Sequence, residues 1–239
     1  SGDLPSNVAV LPGQAGSGDE GTAMLEIIHD LAPGAQLGFA TGFNGVAGFA
    51  QNIRNLQAAG CTIIVDDISY FVESPFQDND IAQAVIDVTA AGAQYLSSAA
   101  NDGNLTNSQS GTWEGDFNPN GTIGALPAGV VHDFGNGGQS NALTSSANNV
   151  TMHWTDPFDA SGNDYDLYVM NSTLTSVLGA STNLQNGSGR PYEIVQGTFP
   201  TDARVVVLRK SGAANRMINV IAWRSTLQLA TSGATRGHS

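Results

Sequence analysis

The hydrophobic period of this chain changes near residue 111, and no one regular architecture satisfies both halves. Before that point, short β-branched runs are interleaved with segments whose apolar residues recur every three or four positions. Asn7–Leu11, Gln36–Thr41, Cys61–Val65 and Ala93–Ala99 read as strands. Between them Met24, Ile27, Ile28 and Leu31 make one helical stripe, Val46, Phe49, Ile53 and Leu56 a second, and Ile81, Val85 and Val88 a third. The first stops at Ala32-Pro33-Gly34, the others at Gly60 and Gly92. Strands and helices alternating in this order predict an α/β class, a parallel sheet with crossover helices.

Beyond a Ser-, Asn- and Gly-rich stretch at 104–111 the period becomes two. Val150, Met152 and Trp154 alternate with Thr151, His153 and Thr155, and Met217, Asn219, Ile221 and Trp223 alternate with Ile218, Val220 and Ala222. Asp164–Met170 and Ala203–Leu208 also read as extended. Residues 112–228 therefore predict an all-β sandwich, and 1–111 a separate α/β domain.

Charge narrows the function. The 239 residues hold 8 Lys and Arg against 21 Asp and Glu, a net −13, which sets the surface against phosphate backbones and anionic lipid. No nucleic acid and no membrane partner is expected, and no apolar run approaches the roughly 20 residues of a spanning helix, so a soluble protein is predicted. The charge is uneven: residues 1–111 carry twelve acids against the single base Arg54, and the remainder nine acids against seven bases. Cys61 is the only cysteine, so no internal disulfide forms. With 29 glycines and only 12% charged residues, the composition fits a bacterial protein exported to the cell surface or medium.

In an open parallel sheet, reactive groups gather at the carboxyl ends of strands and at helix N-termini. Three places qualify: Gly18-Asp19-Glu20-Gly21-Thr22, Asp66-Asp67, and Ala99-Ala100-Asn101-Asp102-Gly103. Four residues before Met24, Glu20 falls at the inner end of the first helical stripe, where a carboxylate can act as general base. Ser17-Gly18-Asp19-Glu20 equally fits a capping box in which Glu20 reaches back to the helix start. Asn101 by itself reads as a turn residue, and Asp66-Asp67 as solvated carboxylates at a strand end.

Taken in order, Glu20-Gly21-Thr22 opening a helix, Ala32-Pro33-Gly34-Ala35 closing it, and Ser97-Ser98-Ala99-Ala100-Asn101-Asp102-Gly103 after a later strand resemble the subtilisin-like serine peptidases. In that family a His-Gly-Thr opens the helix and supplies the base, an Ala-Pro segment follows, and an Ala-Gly-Asn strand end supplies the oxyanion-hole side chain. The resemblance covers 1–111 and resumes at 230–239. It implies a partial parallel-sheet subtilisin-like domain at 1–111, an inserted domain at 112–228 and a return segment at 229–239. Trp154 with Asp164-Tyr165-Asp166-Leu167-Tyr168 is similar to jelly-roll domains that accompany bacterial secreted peptidases. The resemblance makes Glu20 the general base, as in the related sedolisins, and Asn101 the oxyanion donor. It places Asp66 and Asp67 in the substrate cleft. An unperturbed glutamate, with a pKa of about 4.3, suits acidic conditions unless burial raises it.

Three departures bear on activity. Met24 stands where sedolisins have a second acid, no Gly-Thr-Ser-x-Ala nucleophile motif occurs, and neither Asp3 nor Asp19 has the strand-end context of the family's first aspartate. The expected function is therefore a portion of a serine endopeptidase that lacks the nucleophile and is inactive alone, with a peptide or protein as substrate of the full-length protein. The alternative is a non-catalytic extracellular binding module whose sandwich takes glycan, protein or calcium. A third reading, a Rossmann-type nucleotide binder, is weak, since no Gly-x-Gly-x-x-Gly follows a strand.

No cofactor is required by this chemistry, and calcium is the one cation with a candidate site. Asp156, Asp159, Asp164 and Asp166 fall within eleven positions around Gly162-Asn163, as a hard cation's oxygen ligands would. The plainer reading makes Asp164, Asp166 and Tyr168 the polar outer face of a strand, opposite Tyr165, Leu167 and Val169. His29, His132, His153 and His238 are too scattered for a zinc motif.

Overall fold

The structure is a computed structural model that describes residues 3–14, 18–135 and 137–233. The earlier elements are β1 (Ala9–Val10), α1 (Glu20–Leu31), β2 (Gly38–Phe39), α2 (Gly45–Ala58), β3 (Ile63–Asp66), α3 (Asp80–Ala90) and β4 (Gln94–Ser97). Nine strands follow: β5 (Thr112–Asp116), β6 (Val130–Val131), β7 (Asn141–Ala142), β8 (Ala147–Trp154), β9 (Tyr165–Met170), β10 (Val177–Ser181), β11 (Tyr192–Phe199), β12 (Arg204–Arg209) and β13 (Met217–Trp223).

The α/β parallel-sheet class expected from the sequence is overturned. Strands make up 30% of the described residues and helices 16%, and the larger sheets are antiparallel. Parallel pairing is confined to two separate two-stranded sheets, β1 with β2 and β3 with β4. The physical reason lies in strand length. The early β-branched runs are cut by Gly, Pro and Asp after two to four paired residues, too short to extend one ladder across all four. The longer period-two runs of the later half pair antiparallel and dominate the fold.

The chain divides into two compact units. One comprises the described residues up to Tyr70 together with Asp78–Ser98; the other comprises Phe71–Gln77 and the described residues from Ala99 onward. Of the proposed return segment 229–239, residues 234–239 lie outside the described residues.

In the first unit the core forms where α2 and α3 meet β3: Phe49, Ala50, Ile53, Ile64, Ile81, Ala84, Val85 and Val88 are buried together. Burying such a stripe is what holds helices of this length, which are marginal alone. Asn52, also buried, donates to the Thr41 carbonyl at 2.9 Å and exchanges hydrogen bonds with the Gln14 amide, whose oxygen accepts from Thr41 N at 2.7 Å. That network ties the loop after β1 to the end of β2. Helix α1 packs differently from its expected stripe: none of its residues is buried, and Ile27 and Leu31 are 60% and 84% exposed. Its half-buried side instead includes Gly21, Met24, Leu25 and Ile28. A Cβ on Gly21 would lie 2.7 Å from the Phe39 ring, so this close approach of helix to β2 requires glycine there.

The second unit is a two-sheet sandwich. One sheet runs β10-β9-β12-β6, with β7 also pairing with β12; the other runs β11-β8-β13-β5. Val150, Met152 and Trp154 of β8 and Ile218, Val220 and Ala222 of β13 meet Tyr165, Leu167 and Val169 of β9 and Val205 and Val207 of β12 in one core. The alternation that the pleat imposes selects these residues. Tyr168, Met170, Val206 and Leu208 project to the opposite face of their sheet. There Ile123, Val131, Leu126 and Leu174 cover them, so β9 is buried throughout. His132 is fully buried, its Nδ1 accepting from Asn118 N at 3.0 Å and its ring 4.5 Å and 4.6 Å from those of Trp113 and Phe134. Burial pulls its pKa down to about 4, so it is neutral within this aromatic cage. Phe71–Gln77 joins the unit through Phe71, whose ring lies 4.3 Å from that of Trp223, and Gln77, which donates to the Asp156 carbonyl and accepts from Phe158 N at 2.9 Å.

Among the described residues, no helix is long and apolar enough to cross a membrane.

Candidate functional site

The site begins with a backbone departure. Four residues after the end of β4, Asn101 follows Ala100, which sits at φ 62°, a left-handed conformation that a residue with a Cβ adopts only at a cost. Two contacts hold this turn within the second unit. The Asp102 carboxylate accepts from Arg224 N at 2.7 Å, and Gly103 lies so close to Gln109 that a Cβ would stand 2.2 Å from its carbonyl oxygen. Arg224, just past the end of β13, is itself left-handed at φ 51°. Two strained residues therefore stand where the loop after β4 meets the end of β13.

Between them opens a solvent-accessible cavity of about 580 Å³, with Asn101, Asp102, Gln109, Ser145, Arg224 and Thr226 in its wall. The hydroxyls bond one another and the backbone: Ser225 Oγ donates to the Ser145 carbonyl at 2.9 Å, and Ser145 Oγ accepts from Thr226 N at 3.1 Å. Among the described residues no imidazole or carboxylate hydrogen-bonds them. Among the described residues the Asn101 side-chain amide and the Arg224 guanidinium have no hydrogen-bond or ion-pair partner. They and the Gln109 side-chain amide, likewise without a partner among the described residues, are left to donate to a ligand.

The other sequence-predicted residues lie elsewhere. Glu20 belongs to the first unit, is exposed, and begins α1 without a capping hydrogen bond: the N-cap residue Asp19 makes none, and Ser17 lies outside the described residues. Asp66 ends β3 and is buried, accepting from Ser97 Oγ at 2.9 Å and from the Tyr95 hydroxyl, while Asp67 is exposed. Burial and the Asp66 charge push the Tyr95 hydroxyl pKa upward, which keeps it a proton donor to that carboxylate. The Asp66 side chain is thus committed to holding β3 against β4.

The four aspartates proposed for calcium each have separate partners. Asp156 is buried and accepts from Ser161 Oγ, Asn163 N, Asn163 Nδ2 and Arg216 Nε. Asp159 pairs with Arg190 at 2.9 Å on the surface, Asp164 accepts from Gln185 N at 3.3 Å, and Asp166 lies 2.9 Å from the Tyr168 hydroxyl and 3.5 Å from Lys210 Nζ. Among the described residues no three His, Cys, Asp or Glu side chains converge as a metal cluster. The outer face expected for Asp166 and Tyr168 is not exposed: both are buried, and Tyr168 packs in one cluster with Ile123.

Two features escaped sequence reasoning. Arg224 carries no motif, and only its nearness to Asn101 gives it meaning. Glu193, in β11, is fully buried and accepts from the Ser181 hydroxyl, Asn183 N at 3.0 Å, Asn183 Nδ2 at 2.8 Å and Gln185 Nε2 at 2.9 Å. Desolvation nevertheless outweighs these donors and pushes its carboxyl up to about 7. A native pKa above the unfolded value of about 4.3 means that ionised Glu193 costs stability. That cost is absent below pH 4, grows as pH rises through the window from 4.3 to 7, and is complete above it. Denaturant unfolding of the wild type and of Glu193→Gln across this window should show their stability difference shifting by roughly 3 kcal/mol. A flat difference would exclude the effect.

Comparison with models of known protein families finds no match to this chain, and comparison with curated proteins finds none either.

Proposed function

We propose that the chain is a portion of a secreted serine endopeptidase of the subtilisin-like type, which cleaves peptide bonds through an acyl-enzyme formed on a serine outside these residues. The observation that carries the reading is the Asn101 amide, unpartnered at the wall of an open cavity and presented by a strained turn. Its Nδ2–H₂ group is suited to receive the negative charge that develops on a carbonyl oxygen during acyl transfer. As the resemblance implies, Glu20 is the base that takes the serine proton in the full-length protein. The sandwich is an accessory module, and this chain alone is inactive because it offers no activated nucleophile.

A second reading is a non-catalytic binding module. It is favoured by the cavity's hydroxyls, which among the described residues accept from and donate to one another and the backbone rather than to a carboxylate or imidazole, and by the internal satisfaction of the buried carboxylates Asp156 and Glu193.

The readings separate in the full-length protein. Asn101→Ala should lower turnover by about 10²–10³-fold with folding intact, as removal of an oxyanion donor does, and Glu20→Gln should nearly abolish proteolysis. Undiminished proteolysis by both variants would reject the peptidase reading.

A further inference from the structure

We propose that the cavity beside Asn101 selects peptides by a carboxylate, with the Arg224 guanidinium as the selecting group. Of the seven Lys and Arg among the described residues, Arg54, Arg190, Lys210 and Arg216 are each held by an aspartate, Asp87, Asp159, Asp166 and Asp156; Arg204, Arg209 and Arg224 are not, and of these three only Arg224 lines the cavity. Arg224 has no acidic side chain within ion-pair distance among the described residues, although the chain carries a net charge of −13. An exposed guanidinium left unpaired in so acidic a protein, on a left-handed residue at a cavity wall, is placed to receive an anionic group from outside. Its planar fork matches a carboxylate with two parallel N–H···O bonds.

The rest of the wall fixes what carries that carboxylate. Asn101, Gln109, Ser145 and Thr226 line it with amides and hydroxyls rather than apolar or aromatic side chains, so the ligand is held by polar contacts. Amides and hydroxyls are the partners that a peptide backbone uses. Asp102 sets the size of the effect. Its carboxylate faces the same space, where it holds the Arg224 backbone N–H and opposes an incoming anion. The preference for an acidic peptide is therefore about fivefold, the range of a solvent-exposed ion pair, and grows when the Asp102 charge is removed.

Only the choice of a peptide as ligand rests on the peptidase reading. The test is direct binding of the 239-residue chain to three peptides: a blocked one with a central Glu, the same blocked peptide with Gln in its place, and an all-Ala peptide ending in a free carboxylate. Wild type should bind the Glu or the free-carboxylate peptide about fivefold more tightly than the Gln peptide, and which of the two is tighter identifies a side-chain or a terminal source. Arg224→Gln should remove the preference, Arg224→Lys should keep part of it, and Asp102→Asn, which leaves an oxygen for the Arg224 N–H, should enlarge it. Equal affinities in the wild type, a preference that survives Arg224→Gln, or no binding of any peptide would overturn the proposal. Failure of the peptidase reading looks different: full proteolysis by the full-length Asn101→Ala protein, with the Arg224-dependent preference intact.

Discussion

Trp154→Ala should lower the unfolding free energy of the sandwich unit by about 3–5 kcal/mol, a large part of what a domain of this kind possesses. Trp154 is completely buried and ranks first in size among the fully buried side chains. It sits in the core between the sheets, its ring 5.3 Å from that of Tyr165. Alanine would leave a cavity that two hydrogen-bonded sheets cannot collapse to fill. It would also strip Ser161 Oγ of the indole N–H that donates to it at 3.1 Å. Urea unfolding followed by far-ultraviolet circular dichroism measures the change without relying on the lost fluorophore. A loss below about 1 kcal/mol would show that this position is not part of a packed core.

Asp156→Ala should be of similar size, about 3–5 kcal/mol, by a different mechanism. The carboxylate is almost wholly buried and gathers Ser161 Oγ, Asn163 N and Asn163 Nδ2 at 2.8–2.9 Å, with the Arg216 Nε at 2.5 Å. Removing it strands these donors and leaves the partly buried guanidinium unpaired. Burial by itself raises the Asp156 pKa, but the donors from Arg216, Asn163 and Ser161 outweigh it and hold the carboxyl below its usual range. A native value below the unfolded value of about 3.9 makes the contribution complete above that pH and lost as pH falls through the native value. The gap between wild type and Asp156→Ala should therefore be full at neutral pH and shrink in strong acid. Asp156→Asn, which keeps one acceptor oxygen, should fall between them. Equal stability of wild type and Asp156→Ala at neutral pH would refute the account.

Side-chain alternation in β8 and β13 was legible because the pleat alone decides which residues share a face, and Val150, Met152 and Trp154 follow it into the core. The helical stripes of α2 and α3 were legible for the same kind of reason: Phe49, Ile53, Ile81 and Val85 repeat at the helical period. Partner choice was not. A run such as Ile63–Asp66 states that it is extended but not which strand it joins, and the inferred parallel α/β sheet was wrong on that point. The contact face of α1 was hidden too, because the missing Cβ of Gly21 and the position of Phe39 set it, and no hydrophobic count registers an absent atom. The cover over Tyr168 is not legible locally, because Ile123 and Leu126, which pack against it, lie more than forty positions away. Of the candidate site, Asn101 was visible through its motif, whereas Arg224 enters only through a spatial relation that no local pattern encodes.

Because Phe71–Gln77 belongs to the later unit, the chain leaves the first unit after Tyr70, re-enters it at Asp78 and crosses again after Ser98. An exon boundary or recombination breakpoint anywhere between β4 and β5 would separate Phe71 from Trp223 and Gln77 from Asp156. The two units therefore cannot be shuffled as independent cassettes by a single crossover, and inheritance should keep them as a linked pair.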